Sequence, residues 1–132
     1  MTVLRRALAG LAVTISIIGH AHAASEFPFG AEMTLEARPQ QGSKRIPTLE
    51  IDDSGQAQLD LWCKSGKGQF SVANDSVIFM PGAMEDRGCT PERAQLDEAL
   101  INALSASATW KRQGDFVLFV GPTTLRFRIS TN

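Results

Sequence analysis

The chain has 132 residues with a formal net charge of −1, 43% hydrophobic and 20% charged residues, two cysteines, two histidines and no tyrosine. That length and near balance of charge fit one modest globular domain, and nothing in the bulk charge recruits nucleic acid or an anionic membrane. Both histidines, His20 and His22, lie in the first two dozen residues.

Those residues read as a cleaved secretory signal. Arg5 and Arg6 are followed by an apolar run from Ala7 to Gly19 and then by Ala21-His22-Ala23. The run is short for a permanent membrane span, and alanines at −3 and −1 suit signal peptidase after Ala23. The competing reading is a retained N-terminal anchor. No cysteine follows the run directly, so the lipid-attachment signal of a lipoprotein is missing. The expectation is a signal peptide over 1–23 and one domain over 24–132, periplasmic or secreted, with no stable membrane insertion after cleavage.

Cleavage removes every histidine, so Ser-His-Asp, Cys-His and His-ligated zinc chemistry are not expected. With Arg5 and Arg6 gone, 11 Lys+Arg stand against 14 Asp+Glu, a net charge of −3. Cys63 and Cys89 then lie in an oxidising compartment, where thiols tend to pair, and a disulfide between them is expected. The alternative, a reactive thiol, has Lys64 and Arg87 as basic neighbours.

From Ala24 the pattern is mostly strand. Glu32 to Arg38 alternates with period two and stops at Pro39; Gln40 to Arg45 is polar loop. Ile46 to Ile51 and Gln56 to Cys63 form a hairpin around Asp52-Asp53-Ser54-Gly55. In the second of these strands Ala57, Leu59, Leu61 and Cys63 share a face, which leaves Trp62 facing outward. Lys64 to Gly68 reads as a turn, Gln69 to Val72 as a strand and Asn74-Asp75-Ser76 as a turn. Val77 to Met80 is a strand ended by Pro81-Gly82, and Ala83 to Gly88 is a loop.

Thr90-Pro91-Glu92 opens a helix: a capping hydroxyl, proline at the first helical position and an acid favoured by the helix dipole. Leu96, Leu100, Ala103 and Leu104 make its apolar stripe, and it ends around Leu104 to Ser107. Three strands follow, Ala108 to Arg112, Asp115 to Val120 and Thr123 to Ile129.

Few residues point to chemistry. The neighbouring acids Asp52-Asp53, Glu85-Asp86 and Asp97-Glu98 diverge on any regular backbone, so they read as turn and surface charge and not as a catalytic dyad. Trp110 reads as packing and Trp62 as the better surface candidate. Arg126 and Arg128 share a face, with Lys111 and Arg112 near; this is a basic patch or an ordinary solvated sheet face. The possible interaction surface is therefore Trp62, Lys64, Arg87, Arg126 and Arg128. No catalytic, cofactor or metal site is expected.

From Pro47 to Arg128 the order of features resembles the META domain, or HslJ-like, family. The likeness rests on Leu49-Glu50-Ile51 with its turn, Cys63, Val77-Ile78-Phe79 and Cys89. It continues through Glu98 to Leu104, Trp110, Phe116-Val117-Leu118-Phe119 and Leu125-Arg126-Phe127. The resemblance implies an α+β fold: a small curled antiparallel sheet or partial barrel with one packed helix. It further implies an envelope protein, stress-related in some members, without established catalytic residues. The expected role is non-enzymatic binding or structural support, with an envelope or secreted protein as partner. The alternative is a secreted inhibitor of a hydrolase, lysozyme or protease, plugging it with Glu85 to Gly88.

Overall fold

The computed structural model describes residues 26–131 and the single positions 10, 13 and 15. The rest of the expected signal peptide lies outside the described residues. Among these residues no helix is long and apolar enough to cross a membrane.

Eight antiparallel strands follow one another around a ring: β1 (Glu32–Leu35), β2 (Thr48–Ile51), β3 (Gln56–Asp60), β4 (Ser65–Ala73), β5 (Ser76–Glu85), β6 (Thr109–Gln113), β7 (Phe116–Val120) and β8 (Leu125–Ile129). The ring closes where Met33 faces Ile129 and Leu35 faces Phe127 across β1 and β8. One helix, α1 (Pro91–Ala106), interrupts the order between β5 and β6. Among the described residues the architecture is the α+β partial barrel with a single helix that the family likeness implies.

Period-two alternation accounts for the wall. In β8 Leu125, Phe127 and Ile129 are buried while Arg126 and Arg128 are exposed. In β2 and β3 the same rule buries Leu49, Ile51, Ala57 and Leu59. Eight strands enclose a space that side chains can fill, and here they do. Phe119 lies 5.6 Å from both Phe70 and Phe127, Phe70 stacks on Phe79 at 4.5 Å, and Phe27 meets Trp110 edge-on at 5.0 Å. Each buried aromatic or aliphatic chain contributes about 1.5–3 kcal/mol of transfer free energy.

The wall is thinnest between β5 and β6, which share one paired position, Ser76 with Thr109. The two strands start side by side and run in opposite directions, so most of β5 has no β6 beside it. Helix α1 packs against β5 and carries Leu100 and Leu104 into the core. Its start is built as expected: Thr90 Oγ1 accepts the Arg93 amide hydrogen at 3.4 Å, with Pro91 and Glu92 behind it.

Two expected turns are strand instead. Lys64 to Gly68 is largely the first half of β4, and Pro81-Gly82 lies inside β5, which continues to Glu85. The glycines there serve close approach, not reversal. A β-carbon on Gly66 would overlap the backbone of Ala83, and one on Gly68 would overlap the ring of Phe79. One irregularity between Gly66 and Gly68 absorbs the register shift, which lets Pro81 sit in a strand without breaking its pairing.

Candidate functional site

The expected surface residues separate into two places. The first is the corner where the β3–β4 connection meets the start of α1. Cys63 and Cys89 are disulfide-bonded across 26 residues, with Cα atoms 5.7 Å apart. Trp62 is not on the surface: it is 7% exposed, beside Cys63 at 8%. The strand ends at Asp60, so alternation no longer governs residue 62, and the chain turns both neighbours inward.

What turns it is Asp97. This helix residue is fully buried and its carboxylate accepts three consecutive amide hydrogens, from Trp62 at 2.7 Å, Cys63 at 3.0 Å and Lys64 at 2.7 Å. Three hydrogen bonds to one side chain offset the cost of burying it. Reading Asp97-Glu98 as surface charge is thus correct only for Glu98. The missed signal was spacing: Asp97, Leu100 and Leu104 sit at i, i+3 and i+7, on the buried stripe.

The loop beyond β5 is held by its own acid. Asp86 Oδ1 accepts the amide hydrogens of Gly88 and Cys89, each at 2.9 Å. Its carboxyl is held below the usual carboxylate range, chiefly by the Cys89 amide. Arg87 folds onto Asp60 at 3.0 Å, both side chains nearly half exposed, so this pair contributes little to stability. Lys64 is half-buried.

The second place is the outer face of β6, β7, β8 and β1. Arg126 lies over the ring of Phe116, 3.7 Å from its centroid, and pairs with Glu36 at 2.9 Å. Arg128 approaches the same ring at 5.2 Å. Register places Lys111 opposite Leu118, and Leu118 opposite Arg126, so Lys111 joins this face. Arg112 does not. It is opposite the buried Val117, and its guanidinium donates to the carbonyls of Gly114 and Glu26.

The remaining candidates are structural. Trp110 is buried and donates from Nε1 to the Asn74 carbonyl at 2.7 Å, which fixes the expected turn at Asn74-Asp75. Asp52 organises the β2–β3 turn: Oδ1 accepts hydrogens from the Ser54 hydroxyl, the Ser54 amide and the Gln56 amide.

Comparison with known proteins is consistent with this geometry. No curated protein matches the chain. A solved structure described as "NMR structure of the protein" superposes with a TM-score of 0.57 at 14% identity, covering 76% of this chain and 89% of the other. Identity that low speaks to the fold alone. The META domain family model matches residues 29–128, which takes in every strand but the last residue of β8, the disulfide and the helix. The chain is a member of the META domain family.

Proposed function

We propose that this META domain works in the bacterial envelope, exported by its N-terminal signal, through binding or structural support and not through catalysis. The observation that carries the reading is the division of chemistry between inside and outside. The interior is occupied by packed aromatic and aliphatic side chains, while Arg126 is stacked on Phe116 on the outer wall. Arginine and aromatic side chains held in place are the groups that dominate protein–protein contacts. A protein partner is the occupant this face suits.

The test is co-purification of the tagged protein from its native envelope, comparing the parent with the Arg126→Ala, Arg128→Ala double variant. A partner retained by the parent and lost by the double variant supports the reading. An identical set of bound proteins removes the face from it, and substrate turnover by the purified domain, abolished by one side-chain change, refutes it.

A second reading, inhibition of a hydrolase, draws support from the loop at Asp86 to Cys89. It is exposed and locked by its own hydrogen bonds and the adjacent disulfide, and such preorganisation favours tight binding. Lysozyme and protease assays decide it: no inhibition at micromolar excess removes the idea.

A further inference from the structure

A second surface lies on the opposite side of the ring. The outer positions of β2, β3 and β4 form a grid of two rows. Glu50 is opposite Gln58, and Gln58 is opposite Lys67. In the next row the Asp52 amide donates to the Gln56 carbonyl at 2.9 Å, and Gln56 is opposite Gln69. Read across the strands, two carboxylates give way to two amides and then to an amide and an ammonium.

These six side chains line a groove of about 460 Å³. Among the described residues Glu50, Asp52 and Lys67 take part in no ion pair. One of its two acids is fixed. Asp52 is clamped by Ser54 and Gln56, and the Ser54 hydroxyl foremost holds its carboxyl below the usual range. Gln69 is oriented by donation to the Ser54 carbonyl at 3.0 Å.

Adjacent strands lie about 4.8 Å apart, so the acids and Lys67 are separated by roughly 10 Å. We propose that this groove binds a short peptide with both ends free, its ammonium against Glu50 and Asp52, its carboxylate against Lys67, and its backbone amides on the glutamines. An extended chain covers at most about 3.5 Å per residue, so about three residues fit the span. Glutamine side chains offer both donor and acceptor, as a peptide bond does. A neutral saccharide carries no charged ends to pair with the acids and Lys67, and no aromatic platform lines the groove. The inference is independent of the Arg126 face.

The test is an amide chemical-shift titration of the isotope-labelled protein with trialanine, N-acetyl-trialanine, trialanine amide and maltotriose. Trialanine is expected to shift Gln56, Gln58 and Lys67, and blocking either end is expected to weaken binding about fivefold. Lys67→Gln should abolish the effect of amidating the carboxyl end while leaving that of acetylation, and Glu50→Gln should reduce the effect of acetylation. Both substitutions are on an exposed face, and unchanged spectra elsewhere show that the fold is retained. No shift with trialanine, equal response to blocked and free peptides, or preference for maltotriose would overturn the proposal.

Discussion

Asp97 and Cys63 are joined by a 3.0 Å hydrogen bond from the Cys63 amide to the buried carboxylate, and Cys63 is also bonded through sulfur to Cys89 just before the same helix. Helix α1 therefore holds the β3–β4 connection twice, once covalently from its N-terminal side and once from its second turn. Neither clasp involves a strand hydrogen bond.

Removing the carboxylate leaves three amides without an acceptor. Asp97→Ala is expected to lower stability by about 3–4 kcal/mol, a large fraction of the total for a small domain, whereas Glu98→Ala should change it by less than about 0.5 kcal/mol. Urea denaturation of the two variants checks the contrast. Equal midpoints would show that the burial of Asp97 has no energetic role.

Replacing both cysteines with serine should cost about 3.5 kcal/mol for a loop of this separation on the chain-entropy model. Because both clasps restrain residue 63, the losses should not add. The triple variant is expected to be more stable than the sum of the separate effects implies, by at least about 0.5 kcal/mol, in a double-mutant cycle. Strict additivity would mean that the clasps act on independent motions.

Acid should weaken the fold through its turns. Asp52 and Asp86 have folded-state pKa values below the ordinary 3.8, so the stability they supply is complete above that value and lost as pH falls through the lower folded value. The urea midpoint should thus decline below about pH 4, and less steeply in Asp52→Asn and Asp86→Asn. Both groups are solvent-exposed, so the effect is a modest change in slope.

Both tryptophans should be shielded. In a Trp110→Phe variant the remaining Trp62 is expected to resist iodide quenching, in keeping with its 7% exposure. Quenching close to that of free tryptophan would place the indole outside, where strand alternation alone would put it.

Gly68→Ala should destabilise by about 1–3 kcal/mol, since the added methyl meets the Phe79 ring in a filled interior. Gly88→Ala has open space but a φ of +76°, and its cost is expected to be about 1 kcal/mol of backbone strain. Thermal melts of the pair separate crowding from conformation.

Much of this fold was legible because local rules and tertiary contacts agree. Leu125, Phe127 and Ile129 alternate with Arg126 and Arg128 in sequence and in space. Thr90-Pro91-Glu92 starts a helix by its own chemistry, and the sulfur pairing of Cys63 with Cys89 followed from their number and from the expectation of export. The departures occur where long-range contact overrides local preference. Glycine at 66 and 68 ordinarily signals a turn, yet here it lets β5 approach β4, something no window of sequence around residue 66 encodes. Asp97 was hidden by its neighbour Glu98: an acid pair suggests surface, and only the helical spacing to Leu100 and Leu104 hints otherwise. The basic face was half legible, because Lys111 and Arg112 are adjacent in sequence and point to opposite sides of β6.

Mass spectrometry of the natively isolated protein, digested without reduction, tests the proposed export and the sulfur closure most directly. The expected result is a chain beginning at Ala24 with the peptides of Cys63 and Cys89 linked. Free thiols at both positions, or a chain still carrying residues 1–23, would contradict it.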